Sequence, residues 1–326
     1  MNPATLSVMS LWTAATLYAI AMVAYSARLA SVVEVRSAKR ADAPVAVGAS
    51  GTGNAADAGA PAGAGSAPAA PARSRALGIG TASVYVGAAL HLLGVVTRGI
   101  DAGHAPFSNM YEFAIAGSFV AVAVFLGLQR KRDVTYIAPG LAFASSFVVV
   151  LALRLWYVDA TGLRPALDSY WLVIHVPIAV VATGIFTVSG IASAIQVARD
   201  ARDHGKRWAS ARWLRVLESA PQPARLEALA FRLNAWGFVL WTFTVMTGAM
   251  WAEHAWGRFW GWDPKEVWSF VIWIIYAAYL HSRTTQGWAG RRAAWLAISG
   301  LIAVIMNFTV VNLFVQGLHS YSGLQS

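Results

Sequence analysis

The sequence predicts an all-α integral membrane protein, a bundle of about eight transmembrane helices with both termini on the outer side. Three observations carry that prediction. The chain of 326 residues is 57% hydrophobic and only 12% charged, a balance found in polytopic membrane proteins rather than soluble ones. Eight stretches reach the roughly 20 apolar residues needed to cross ~30 Å of hydrocarbon. Between them, 20 of the 25 Lys and Arg residues fall in one alternate set of connecting segments and 5 in the other. That phase orients membrane helices with the basic segments inside. It also explains the net charge of +10 without nucleic acid.

The first stretch, Leu6 to about Ala27, has neither a basic n-region nor an A-x-A cleavage site, so it reads as a retained helix within residues 1–30. Residues 31–76 follow as a cytoplasmic linker. Its centre, Ala41 to Ala72, is almost wholly Ala, Gly, Pro and Ser. Such a composition buries too little surface to offset its ordering entropy and is expected to be disordered. The other spans, about 77–97, 111–129, 134–156, 171–196, 232–252, 266–284 and 294–317, belong to one membrane domain, 77–326. Residues 197–231 are basic and partly amphipathic, and are expected to form an interfacial helix on anionic lipid.

The chain has no cysteine. It offers no disulfide, thiolate metal site or thioether, and any redox-active thiol belongs to a partner. Histidine is then the best transition-metal ligand available. Of fifteen tryptophans, ten lie between Trp236 and Trp295, and the outer loop 253–266 carries Trp256, Trp260 and Trp262 just before Asp263. Asp263-Pro264-Lys265-Glu266 reads as a helix start: Asp at the N-cap, Pro at N1, Glu at N3. The indoles fit an interfacial aromatic belt. They fit a platform for a flat ligand equally well, with Gly257 and Gly261 leaving room beside the rings.

Two histidines reach the membrane face that carries this loop: His175, near the outer end of the fifth span, and His319, after the eighth. Facing each other across an aromatic platform, they would give bis-His ligation of a haem iron. His281 lies near the inner end of the seventh span, and an ionisable residue at that depth is a functional candidate. His91 sits on the order of 10 Å away in depth at 1.5 Å per residue, and is read as a helix–helix hydrogen bond. His104 and His254 lie in outer loops without an obvious partner, and His204 among solvated charges. The outer stretch Pro106 to Glu112 reads either as a helix cap or as the opposite side of the platform.

The run Trp-Gly-x-x-Trp-x-Trp-Asp-x-x-Glu resembles the WWD motif of haem-handling proteins. Residues 170–321 as a whole are similar to the CcsA/ResC type of system II cytochrome c biogenesis protein, labelled CcsB in some bacteria. The resemblance implies a cytochrome c assembly domain in a bacterial inner membrane, working with a ResB/Ccs1-type subunit to carry haem b outward and present it to the CxxCH motif of apocytochrome c. It implies that His175 and His319 are the external axial ligands and that Trp256, Trp260, Trp262 and Asp263 form the platform. It further implies that His281 is one ligand of an inner haem site, with the second ligand coming from the partner. The outer basic residues Arg258 and Lys265 are candidates to pair with haem propionates. Synthase subunit is the leading reading, and a haem transporter or chaperone without ligation activity is the alternative.

Overall fold

The computed structural model describes residues 2–41, 75–285 and 287–319. Among them every regular element is helical: α1 (Pro3–Ala41), α2 (Arg75–Ala102), α3 (Met110–Gln129), α4 (Ala138–Leu155), α5 (Leu172–Asp203), α6 (Pro223–Trp256), α7 (Pro264–Thr285), α8 (Arg291–Phe308) and the short α9 (Val310–Phe314). Residues 42–74, the bulk of the expected linker, lie outside the described residues. Residues 31–41, given to that linker by composition, instead continue α1. Ala, Arg, Glu and Lys there are good helix formers.

Among the described residues, seven helices are long and apolar enough to cross a membrane: α1 to α6, and α8 together with α9. The chain is a multi-pass membrane protein. α7 has 22 residues, about 33 Å at 1.5 Å per residue, but its Trp, Tyr and Ser residues lower its hydropathy. It nevertheless runs antiparallel to α6 over the same thickness. The indole of Trp241 donates to the Ser269 carbonyl and that of Trp273 to Thr242 Oγ1. Farther along, Arg283 lies 2.8 Å from Glu227 in the second turn of α6.

The segment 197–231 forms no separate interfacial helix. α5 runs on to Asp203, α6 begins at Pro223, and two 3-10 segments, Arg207–Ser210 and Arg212–Ser219, join them. Arg199 donates to the carbonyls of Leu217 and Ala220, while Arg202 pairs with Glu218. Saturating those carbonyls pins the connection against the end of α5.

Small and polar residues hold the helices together, as expected where lipid removes the hydrophobic drive between them. Ser7 donates to the Gly94 carbonyl, Ser146 to that of Ala15, and Tyr25 meets Thr81. α1 is therefore fully part of the bundle, with Leu11, Tyr18, Ala21 and Tyr25 buried. Between α5 and α7, Phe186 stacks on Tyr276 with centroids 3.7 Å apart. Glycines admit the stack: a Cβ on Gly237 of α6 would lie 2.5 Å from Phe186, and one on Gly300 of α8 would lie 2.6 Å from Tyr276. Overpacking of this kind costs about 1–3 kcal/mol. Gly237→Ala is expected to lower the thermal unfolding midpoint of the detergent-solubilised protein, and an unchanged midpoint would refute this account of the packing.

Candidate functional site

One end of the bundle gathers the start of α3, the start of α5, the end of α6, the start of α7 and the segment after α8. Together they enclose a cavity of about 210 Å³. Its walls are largely apolar, with Phe113, Val176, Trp241, Val245 and Phe308 among them, and both His175 and His319 line it. The sequence places these two imidazoles 144 positions apart, and the fold brings them to one chamber.

Each imidazole is oriented by a partner behind it. His175 lies in the first turn of α5, with Nδ1 3.3 Å from Thr247 Oγ1 on α6. The Thr247 hydroxyl proton is already given to the Phe243 carbonyl at 2.8 Å, so its oxygen accepts and His175 Nδ1 donates. That tautomer leaves the lone pair on Nε2. The ring also meets Trp251 edge-on at 5.6 Å.

His319 follows α9 and turns back toward α7. Its Nδ1 donates to Asp263 Oδ2 at 2.8 Å, the carboxylate–imidazole arrangement that fixes the tautomer of metal-binding histidines and makes Nε2 the basic nitrogen. The Trp256 ring stands edge-on to it at 4.8 Å.

Asp263 is a junction. Its Oδ2 caps α7 by accepting from the Lys265 amide at 3.2 Å, and Oδ1 accepts from the Leu318 amide at 2.6 Å. Glu266 Oε2 returns the cap by accepting from the amides of Asp263 and Gly261. The helix start expected from the sequence is therefore present, with Asp263 at the N-cap and Glu266 at N3. Burial pushes the Asp263 carboxyl up, but the hydrogen bonds from His319 and from the amides of Leu318 and Lys265 outweigh it. The net result lies below the ordinary value of 3.8.

Of the grouped tryptophans, Trp256 and Trp260 line the cavity and Trp262 does not. Trp262 has φ +59 and is 75% exposed, its ring edge-on to Trp260 at 5.9 Å. The left-handed turn directs it away from the chamber, toward the exposed side of the loop. Asp263 likewise stands behind His319 and positions it, outside the cavity lining.

The two glycines serve the backbone and a neighbouring side chain rather than a shared slot: open space lies beside Gly257 but not beside Gly261. Gly257, at φ +69, is the left-handed cap that ends α6, and the space beside Gly261 is filled by the Arg258 guanidinium.

The remaining histidines separate cleanly. His91 Nε2 donates to the Ile115 carbonyl at 2.9 Å, and Tyr18 donates to its Nδ1 at 3.2 Å. This is the expected helix–helix bond, with both nitrogens used. His281 is exposed near the far end of α7, away from the cavity. His104 bonds to loop carbonyls, His254 meets Tyr170, and His204 lies beside Asp200 on the surface.

The stretch before α3 serves both expected purposes. Asn109 caps α3 by accepting from the Glu112 amide, while Phe107, Ser108 and Asn109 line the cavity. Behind them, the fully buried Glu112 takes Arg98 Nε at 2.9 Å together with the amide and hydroxyl of Ser108. Sequence reasoning did not see Thr247 behind His175 or the tie from Asp263 to His319. The first gives no sequence signal, and the second was hidden by the capping role that Asp263 also fills.

Comparison with known proteins places these residues in a family. A family model described as cytochrome C assembly protein matches residues 107–319, which include His175, the tryptophan loop and His319. The cytochrome c biogenesis protein CcsA of Synechococcus sp. (strain RCC307) is 35% identical over 244 residues, covering 69% of this chain and 78% of the relative. That of Prochlorococcus marinus subsp. pastoris is 36% identical over 253 residues, 70% of this chain and 78% of the relative. The CcsA of Guillardia theta is 32% identical over 241 residues, 70% of this chain and 80% of the relative. Among solved structures, cytochrome c heme lyase CcmF matches with a TM-score of 0.59 over 94% of this chain and 47% of that one. At 13% identity that likeness shows the fold alone. With an all-helical membrane bundle, the WWD loop at its cavity and these relatives, the chain belongs to the cytochrome c assembly protein family, as a CcsA-type cytochrome c biogenesis protein.

Proposed function

We propose that this chain holds haem b in the cavity between His175 and His319 and presents it to apocytochrome c, as part of a synthase complex with a ResB/Ccs1-type subunit. The carrying observation is that two imidazoles from distant parts of the chain line one apolar chamber, each with Nδ1 engaged and Nε2 as the basic nitrogen. A flat apolar ring with an iron at its centre matches that chemistry. Its vinyl edge would face the indoles of Trp256 and Trp260.

The opposite end of the bundle gathers Arg199, Arg202, Arg283 and Arg291 in ion pairs with Asp and Glu. With α7 read as an eighth crossing, the positive-inside bias supports a bacterial inner-membrane orientation with that end toward the cytoplasm and the cavity, with both termini, toward the periplasm. His281, at the basic end, would serve the inner haem site with a ligand from the partner. Haem would then reach the outer cavity from the inner side.

The attachment itself adds each CxxCH thiol across a vinyl double bond. The sulfur bonds to one vinyl carbon, the thiol proton goes to the other, and nothing leaves. This chain has no cysteine and supplies no nucleophile. Its residues contribute binding and orientation, which convert a bimolecular encounter into a positioned one. The histidine of CxxCH takes over one axial position as the product forms.

The test is expression of this chain with its partner and a reporter apocytochrome c in a bacterial host lacking its own maturation system. Haem is expected to stay bound to the reporter through denaturing electrophoresis. A haem-loaded complex that leaves the reporter unmodified would reduce the role to haem transport or chaperoning.

A further inference from the structure

Two cationic side chains and one imidazole stand at or beside the cavity, and their partners differ. Arg258 Nη1 lies 3.4 Å from Glu266. His319 is held by Asp263. Lys265 lines the cavity, yet its ammonium donates to two neutral acceptors, the Asn307 carbonyl and Asn312 Oδ1, each at 2.8 Å. Among the described residues no carboxylate lies within 4.0 Å of it.

An ammonium carries three donors, so one N–H remains beyond these two bonds. A half-buried cation in an apolar chamber is costly unless an anion accompanies it. The geometry around it is fixed: Asn312 gives its amide hydrogens to the Phe308 carbonyl at 2.8 Å, which turns Oδ1 toward Lys265. The same wall also holds the buried indole N–H of Trp251, which has no hydrogen-bond partner among the described residues. The wall thus holds an ammonium with a donor to spare, an unpartnered indole N–H and one unpartnered acceptor, Asn307 Oδ1; Asp263, the carboxylate whose charge acts on Lys265, is already engaged by His319 and by the amides of Leu318 and Lys265.

We infer that Lys265 anchors a carboxylate of the ligand held between His175 and His319, and that Arg258 does not. The assignment rests on the haem reading above, in which that carboxylate is a propionate. Arg258 is excluded by its own pairing. Its guanidinium occupies the space beside Gly261 and reaches Glu266, so it completes the scaffold of the loop. A propionate at Lys265 would fix the in-plane rotation of the macrocycle, a degree of freedom that two axial ligands leave open, and so decide which edge meets the incoming thiols.

The experiment compares two pigments, iron protoporphyrin IX and its dimethyl ester, titrated into the haem-stripped complex of full chain and partner. The ester keeps the ring, the iron and the vinyl groups but removes both anions. Wild type is expected to prefer the acid by about tenfold or more, the scale of a charge-assisted hydrogen bond. Lys265→Met is expected to remove that preference while binding the ester as wild type does, which also reports intact folding. Lys265→Arg is expected to restore most of the preference, and Arg258→Gln to leave it unchanged. Equal affinity of wild type for the two pigments would overturn the assignment, as would a preference retained in Lys265→Met. Failure of wild type to bind either pigment would sink the haem reading itself, and this anchor with it.

Discussion

Replacing both His175 and His319 by glycine is expected to abolish the bis-histidine absorption spectrum of the complex purified with its partner and to reduce cytochrome c maturation to background. The expectation follows from how the two rings are held. His175 is fixed through Thr247 on α6, and His319 through Asp263 at the head of α7. His91 ties α2 to both α1 and α3, whereas His175 makes one longer bond from α5 to α6 and His319 lies outside the long helices, so the bundle should survive their loss. Each single variant is expected to retain five-coordinate haem with a shifted Soret band, because the opposite ligand keeps its own orienting partner. Free imidazole should refill the glycine cavity in either single variant and return the six-coordinate spectrum. A double variant that keeps both the Soret band and the bis-histidine signature would remove these residues from the iron.

The second large effect is expected at Asp263. One carboxylate accepts from three donors: the Lys265 amide, which caps α7, the Leu318 amide in the tail, and the imidazole of His319. Asn at this position has a single acceptor oxygen, so an NH2 group must face one of those donors. Asp263→Asn is expected to weaken haem binding by about 10–100-fold, the range seen when the group orienting a metal-bound histidine is removed. Asp263→Ala also loses the N-cap, worth about 1 kcal/mol. The readout that separates positioning from general damage is the background: with His319 already replaced by glycine, Asp263→Asn should change haem affinity no further. A full additional loss there would make Asp263 a structural residue alone.

The same residue sets a pH dependence. Its carboxyl lies below the ordinary 3.8 in the folded protein, so the charged form is favoured by folding. The stability this contributes is complete above 3.8 and is lost as pH falls through the lower folded value. The gap in unfolding midpoint between wild type and Asp263→Asn should thus be constant near neutrality and close in acid.

Much of the architecture was legible because hydrocarbon thickness imposes it. The spans appear as apolar runs of fixed length, and α7 sits at the margin because Lys265, Glu266, His281 and Arg283 join its indoles and phenols in lowering its hydropathy. The histidines were legible as a pair because each stands at the outer end of a span. What escaped was the part that depends on side-chain direction. A positive φ turned Trp262 away from the chamber, and no spacing rule announces it. Gly261 looked like room for a ligand when it was room for Arg258. Lys265 and Arg258 were equivalent as letters, and only their partners distinguish a spent cation from an available one. The contact from Asp263 to His319 spans 56 positions, and the capping role had already given Asp263 a sufficient local explanation.

The tail that carries His319 has a consequence for the order in which the protein is made. Helices enter a membrane in the sequence in which they are synthesised, and His319 comes after all of the long ones. Until α8 has inserted and the chain has turned back to Asp263, the chamber lacks one wall and one of its two imidazoles. A nascent chain therefore exposes His175 alone and has no means of gripping a pigment from two sides. On the proposed function, loading with a reactive porphyrin would therefore be deferred until this last segment is in place.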